Sequence, residues 1–338
     1  MTEFRRNPAI DLLRAASILY IVGYWHLLGY VDGIDGYKNA LTYRLTVVVL
    51  GLFTLMAGLL AGRRSIRTAQ EVWSHYRTRA LRILPPYGLA LVLFGLTGLI
   101  RWPQVGLGLV LLPAIDGEPL RTLWYVNALV IFSFLAPLLL WLRHRLAPAL
   151  GGPRRAGLLV AAGLALLVGL LDGFGGGWLD PRLPLYFPAF AVGLLLSRRL
   201  LPGEGDPGRG PFRWIAPLGL LSAVAIALSL PVPLHQFESL RVLPLATIVP
   251  LLILVVAMRW LEGRTIPNGL QAISYGSYFM YLLHRPLFQA LNAAAHALCL
   301  SSPGQLLSFL LLVGLPLIVL LSWWGQCAYD RVLRFLRV

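Results

Sequence analysis

Ten long apolar segments, joined by connections rich in arginine, most strongly limit what this 338-residue chain can fold into. A helix needs about 20 apolar residues to cross the hydrocarbon core of a bilayer, with about 17 at the lower end. The sixth segment is short and contains two prolines, so it is expected to be broken, tilted or re-entrant. The approximate spans are 10–30, 42–62, 84–101, 123–142, 156–172, 183–197, 214–231, 242–261, 270–291 and 304–326.

The composition agrees with a chain that lies mostly in lipid. Hydrophobic residues make up 58% of it, and its mean hydropathy is +0.73. Charged residues make up only 13%, about half the share in an average soluble domain. No small-residue cleavage site follows the first apolar segment, which argues against a signal peptide. We therefore predict an all-α integral membrane protein of about ten transmembrane helices, with residues 1–338 as one transmembrane domain and no separate soluble domain.

The basic residues fall unevenly on the two sides of these segments. With the N-terminus inside, 21 of the 29 lysines and arginines lie on the cytoplasmic side and six lie outside, while Arg14 and Arg285 fall within spans. Cytoplasmic loops carry the excess of basic residues in membrane proteins. The protein is therefore predicted to lie in the inner cell membrane with both termini in the cytoplasm. Cytoplasmic loops account for the net charge of +15, so no nucleic-acid partner is predicted.

Two histidines reach a similar depth inside predicted spans. His26, within "AASILYIVGYWHLLGY", lies sixteen residues past Ile10, or ~24 Å along a helix. His284 lies fourteen residues past Leu270, or ~21 Å. One such histidine is often only a hydrogen-bonding link between helices. Two at one level, on different helices, indicate a shared polar site.

Further polar residues occupy the same two spans and the mouth of the third. Asp11 and Arg14 are three residues apart, so they share a helix face and either pair or extend to the inner surface. Pro286 frees a backbone carbonyl one turn before it. Arg79 and Arg82, in "RTRALRILPPYG", share a face and suit either phosphate binding or an ordinary positive-inside flank. The cysteines, Cys299 and Cys327, have no metal-site spacing, and no metal is predicted.

Together these stretches resemble the acyltransferase 3 family of multi-pass membrane acyltransferases. The family's first helix has an arginine, an apolar run and a histidine, as in "DLLRAASILYIVGYWH". Its paired arginines before proline and an aromatic residue match "RALRILPPY", and its late serine–tyrosine helix with histidine–proline matches "ISYGSYFMYLLHRP". "LWYVNALVIFSFLAPLL" is similar to its fourth helix through Trp124 and Pro137.

One spacing departs from the family pattern. Eleven residues separate Arg14 from His26, where the family usually has ten. On a regular helix the additional residue turns His26 by about 100° relative to Arg14. A single π-bulge would absorb this residue, and such bulges are frequent at functional sites.

The resemblance implies an O-acyltransferase that moves an acyl group, with acetyl expected, from cytoplasmic acyl-CoA to a hydroxyl of an exported or lipid-linked glycan. Arg79 and Arg82 would bind the CoA phosphates. Arg14, ~18 Å below His26, would contact the pantetheine arm of CoA and is also assigned to the catalytic residues. His26 is the predicted general base. His284 would bind the acceptor or stabilise charge, with an acyl-histidine relay as a variant. The substrate-contacting residues are predicted to be Tyr278, Ser274 and Trp124.

Other functions fit parts of the same pattern. A lipid-linked glycan flippase or polysaccharide transporter without acyl-transfer chemistry would also have polar residues and proline-broken helices in the membrane. The arginines between the inner mouth and His26 favour the acyltransferase. A glycan polymerase is expected to have a long outer catalytic loop, whereas the longest outer segment here is about 20 residues. Acyl transfer to a small metabolite from the cytoplasm stays open, as do the acyl group and the oligomeric state.

Overall fold

The computed structural model describes most of the chain. The described residues are 7–31, 33–63, 66, 68–114, 120–174, 180–201, 211–233, 236, 239–300 and 302–336. Every regular element within them is helical, which confirms the predicted all-α class. Six of the arginines that the sequence places on the cytoplasmic side lie outside the described residues: Arg5, Arg6, Arg64, Arg67, Arg209 and Arg337.

Twelve α-helices follow one another along the described part of the chain. They are α1 (Pro8–Leu19), α2 (Ala40–Ala61), α3 (Ala69–Leu96), α4 (Trp102–Leu109), α5 (Trp124–Leu146), α6 (Pro153–Phe174), α7 (Arg182–Leu200), α8 (Ile215–Ser229), α9 (Leu243–Trp260), α10 (Asn268–Ala297), α11 (Pro303–Phe309) and α12 (Leu315–Phe335). Two π-helical segments, Tyr20–His26 and Leu310–Gly314, continue α1 and join α11 to α12.

Six helical stretches are long and apolar enough to cross a membrane, judged by length and composition. They are Pro8–Tyr30, Ala40–Ala61, Ala69–Leu96, Trp124–Leu146, Leu240–Trp260 and Pro303–Phe335. Two shorter apolar helices cover Arg155–Leu167 and Ile215–Ser229. Helices α7 and α10 correspond to predicted spans but do not belong to these six, so the count of ten crossings stays a prediction.

Helix α3 begins well before the start that hydropathy predicts. Its first residue is Ala69 rather than residue 84, so Arg79 and Arg82 are helical. The backbone N–H of Glu71 donates to Thr68 Oγ (3.2 Å), and that of Thr68 donates to the Glu71 carboxylate (2.9 Å). This reciprocal capping box starts a helix. The sequence carries its signature, Thr-x-x-Glu, ahead of the apolar run.

The chain forms two compact units. The first comprises residues 1–42, 81–110 and 261–338. Within it, α10 packs against both α1 and α12. The approach to α12 is close, because a Cβ added at Gly276 would lie 3.1 Å from the backbone nitrogen of Trp323. Helix α10 therefore brings its polar side chains against α1, which carries Arg14 and leads into His26.

The second unit comprises residues 43–80 and 111–260. In it α5 packs on α6, and α9 packs on both α7 and α8. Helix α7, the proline-containing sixth span, is unbroken and largely buried. A Cβ at Gly58 of α2 would overlap the Phe190 carbonyl, and one at Gly193 would overlap the Leu55 carbonyl. Small residues allow this close packing of helices that lie in lipid.

Candidate active site

A π-helical segment places His26. It runs from Tyr20 to His26, and the backbone N–H of Leu27 donates to the carbonyl of Val22, five residues earlier (3.2 Å). This is the local geometry that absorbs the additional residue between Arg14 and His26. As a result, the side chains of both Arg14 and His26 bond to α10.

The two histidines are directly hydrogen-bonded. His26 Nδ1 lies 2.8 Å from His284 Nε2, and the ring planes are within 10° of parallel. His284 is completely buried, whereas His26 keeps some exposed surface. The two histidines, which the sequence places at a similar depth, therefore form one hydrogen-bonded pair in the structure.

The carbonyl partners of His284 determine where the protons lie. Nδ1 of His284 is 2.7 Å from the Tyr281 carbonyl oxygen and 3.2 Å from that of Met280. Carbonyl oxygens only accept, so this nitrogen carries a proton. With both rings neutral, His284 Nε2 must accept from Nδ1–H of His26. The remaining nitrogen, His26 Nε2, then holds an unprotonated lone pair, which is what a general base needs.

A second polar cluster joins α1 to α10 nearer the N-terminus of both helices. Arg14 Nη2 donates to Ser277 Oγ (2.9 Å), and Ser274 Oγ donates to Asp11 Oδ1 (2.7 Å). Both pairs are separated by 263 residues, so the two helices run in the same direction here. Ser277 lies seven residues before His284, which places the Arg14 guanidinium about 10 Å from the histidine pair along α10. The sequence predicted ~18 Å between Arg14 and His26 on a straight α-helix.

Two tyrosine hydroxyls hold the part of α3 that carries Arg82. Pro85 has no N–H, so the carbonyl of Leu81 lacks its usual partner four residues on. The hydroxyl of Tyr329 donates to this carbonyl. The hydroxyl of Tyr278 donates to the carbonyl of Ile83 (2.9 Å). Arg82, whose side chain is exposed, therefore lies between two residues, Leu81 and Ile83, whose carbonyls are held by tyrosine hydroxyls.

Trp124 and Arg79 belong to the second unit. The Arg182 guanidinium carbon lies 4.1 Å from the Trp124 ring centroid, and the Tyr186 ring stacks at 5.9 Å. Arg182 also forms a 2.7 Å ion pair with Asp180. Trp124 thus sits in an aromatic and charged cluster, and its role as a substrate contact stays a prediction.

Comparison with known families gives the same assignment as the motifs. The acyltransferase 3 family model, described as an acyltransferase domain, matches residues 7–326, nearly the whole chain. The chain belongs to the acyltransferase 3 family. No curated protein and no solved structure matches it significantly. Together with the apolar helices, the family shows that this protein is a membrane acyltransferase.

Two residues of this acyltransferase were not singled out from the sequence. Ser277 holds Arg14, and the Tyr329 hydroxyl replaces the N–H that Pro85 lacks. One signal was available for Ser277, because it lies three residues after Ser274 and seven before His284, on the same face of α10. No local pattern could have predicted Tyr329, whose partner is 248 residues away.

Proposed function

We propose that this acyltransferase moves an acyl group, acetyl in the simplest case, from cytoplasmic acyl-CoA to a hydroxyl of an exported or lipid-linked glycan. The observation that carries the proposal is the His26–His284 hydrogen bond, which leaves the Nε2 lone pair of His26 available. The protein would cross the inner cell membrane ten times with both termini in the cytoplasm. The arginine distribution supports this orientation, since basic residues concentrate on one side.

The reaction follows from the protonation of the pair. His26 Nε2 removes the proton of the acceptor hydroxyl as its oxygen attacks the thioester carbon, giving a tetrahedral intermediate. Collapse of the intermediate breaks the carbon–sulfur bond, and the proton passes from His26 to the departing CoA sulfur. The products are the acyl ester and free CoA thiol.

His284 acts on His26 rather than on substrate. Both of its ring nitrogens are engaged, one with backbone carbonyls and one with His26. This leaves neither nitrogen for acceptor binding, one of the roles that the sequence suggested. Instead, His284 fixes the tautomer of His26 and stabilises the charge that His26 gains, as a carboxylate does in the triad of serine hydrolases.

The donor would enter from the arginine side. Arg79 and Arg82 would bind CoA phosphates, for which paired guanidinium groups are well suited. Arg14, held by Ser277 about 10 Å from the histidine pair, would contact the arm near its thioester. Ser274 and Tyr278 lie on the same stretch of α10 and would line this path.

Substitution of His26 by glutamine tests the base. Purified protein in lipid vesicles is supplied with acetyl-CoA and with acceptor membranes from cells that lack this acyltransferase. The release of CoA and the formation of ester are then measured. We expect a loss of roughly 100-fold or more, the range typical of general-base removal. The matched control is His296→Gln, which changes an exposed histidine of the same helix. Near-wild-type transfer by His26→Gln would remove the assignment, and a wild-type protein that releases no CoA would favour a transporter.

A further inference from the structure

Arg285 carries a charge that the proposed reaction does not use. It directly follows His284 in α10, and its Nε is buried with no hydrogen-bond partner among the described residues. Helix α10 continues for twelve residues to Ala297, or about 18 Å. Extension of the side chain toward the membrane surface does not pair this nitrogen, because the Nε is enclosed by protein.

The protein supplies no anion to this guanidinium within the described residues. The hydroxyl of Tyr30 donates to the Arg285 backbone carbonyl (3.2 Å), which anchors the main chain only. In the same unit, Asp11 accepts from Ser274, and Asp330 accepts from Tyr275. No described carboxylate forms an ion pair with Arg285.

A charged group in this position is costly unless something pairs with it. Ionisable residues inside a membrane are therefore candidates for substrate contact by default. The guanidinium group matches carboxylate and phosphate in geometry, because it offers parallel N–H donors to two oxygens. The missing partner of Arg285 thus has a definite chemistry, and it would sit beside the histidine pair.

We propose that Arg285 binds a carboxylate or phosphate group of a substrate, so that the acyltransferase selects an anionic substrate at its reaction centre. The proposal rests on the proposed function, in which the CoA phosphates stay at Arg79 and Arg82. Two sources are then left for the anion: a charged group of the acceptor, or the distal carboxylate of a dicarboxylic acyl group such as succinyl. In both cases Arg285 would orient the substrate next to His26.

Anion binding can be measured without catalysis. The thermal unfolding of purified protein is followed in succinate, in inorganic phosphate and in sodium chloride of equal ionic strength. We expect succinate or phosphate to raise the Tm of the wild type above the chloride value by linkage. Arg285→Gln should lose this rise, and Arg285→Lys should keep part of it. The control Arg101→Gln removes an exposed arginine of the same unit and should keep the full rise.

The source of the anion is resolved by turnover. Wild type, Arg285→Gln and Arg101→Gln are compared with labelled acetyl-CoA and succinyl-CoA on membranes that contain the native acceptor. An anionic acceptor predicts that, after the ester of the labelled product is hydrolysed, the released acceptor still binds an anion exchanger. It also predicts a KM for acceptor at least tenfold higher in Arg285→Gln. An anionic acyl group predicts a wild-type preference for succinyl-CoA that Arg285→Gln loses.

The two proposals fail in different ways. Equal Tm values in all anions for wild type, or unchanged kinetics in Arg285→Gln with a neutral product, would overturn the anion site while acyl transfer stands. A wild type that transfers no acyl group would overturn the proposed function, and the Tm measurements would still decide whether Arg285 binds an anion.

Discussion

The two ends of the α1–α10 contact use polar residues in different ways. Near the N-termini of both helices, which is the inner end in the proposed orientation, Asp11 and Arg14 each bond to a serine hydroxyl of α10. At the outer end, His26 and His284 bond to each other. A hydroxyl partner holds a charged group in place, whereas the imidazole pair fixes a tautomer and leaves one basic nitrogen. We therefore propose that the inner end binds the donor and that the outer end carries the reaction.

This contrast predicts separate kinetic signatures. Changes at the outer end should lower kcat, because they remove interactions that matter in the transition state. Changes at the inner end should mainly raise the KM for acyl-CoA, because they remove binding of the donor.

Loss of the orienting histidine should nearly abolish catalysis. In His284→Leu, His26 remains but loses the acceptor for its Nδ1–H, so the proton is free to occupy Nε2 and block the base. We expect kcat to fall by roughly 10²- to 10⁴-fold, as when a tautomer-fixing group is removed. CoA release under saturating acetyl-CoA measures this.

A glutamine at the same position separates orientation from packing. His284→Gln presents an amide oxygen that can accept from His26 Nδ1–H, so part of kcat should return relative to His284→Leu. Equal kcat values in both variants, with equal Tm values, would mean that His284 does not act through the tautomer of His26.

The π-helical segment should control whether His26 faces α10. Inserting one alanine after Val22 rotates His26 by about 100° relative to α1 and should lower kcat by about 100-fold or more. Deleting Val22 leaves ten residues between Arg14 and His26. With this spacing a regular α-helix can direct both side chains to α10 without a π-helical segment. We expect the deletion variant to lie within about tenfold of wild type. A deletion as damaging as the insertion would contradict this account of the segment.

At the inner end, Arg14→Gln should act mainly on donor binding. It removes the guanidinium, held by Ser277, that would hydrogen-bond the acyl-CoA arm, and hydrogen bonds to charged groups contribute about 1.5–3 kcal/mol. The KM for acetyl-CoA should rise about tenfold or more, with kcat reduced less. Ser277→Ala, which leaves the charge but removes its anchor, should show a smaller rise in KM. A fall in kcat at unchanged KM would place Arg14 with the reacting end instead.

The sequence predicted the helices and the meeting of the histidines because both depend on counting along the chain. Apolar runs determine the spans, and a constant rise per residue places His26 and His284 at one depth. The one-residue excess after Arg14 likewise pointed to a π-bulge, which the structure contains. The family assignment from ordered motifs is confirmed.

Long-range partners could not be derived in this way. The neighbours of Trp124, namely Arg182 and Tyr186, come from a helix about 60 residues away, and nothing local links them. The start of α3 was missed for a different reason. Hydropathy indicates where the apolar part of the helix begins. The Thr68–Glu71 capping box instead marks the start of the helical backbone hydrogen bonds.

The smallest predicted effect concerns the anchoring of α3. Tyr329→Phe leaves the Leu81 carbonyl without the hydroxyl that replaces the N–H missing at Pro85. A net contribution of about 0.5–1.5 kcal/mol per hydrogen bond gives a rise of roughly two- to tenfold in the KM for acetyl-CoA, with kcat unchanged. The reason is that Arg82, one residue after Leu81, loses its fixed position.

Restoring the backbone donor provides the decisive control for this prediction. Pro85→Ala returns an N–H to the Leu81 carbonyl, so Tyr329→Phe should have little effect in that background. The double-mutant cycle on KM should then give a coupling energy close to the whole effect of Tyr329→Phe. If the two substitutions were instead additive, Tyr329 would act by packing, and the hydroxyl would have no part in positioning Arg82.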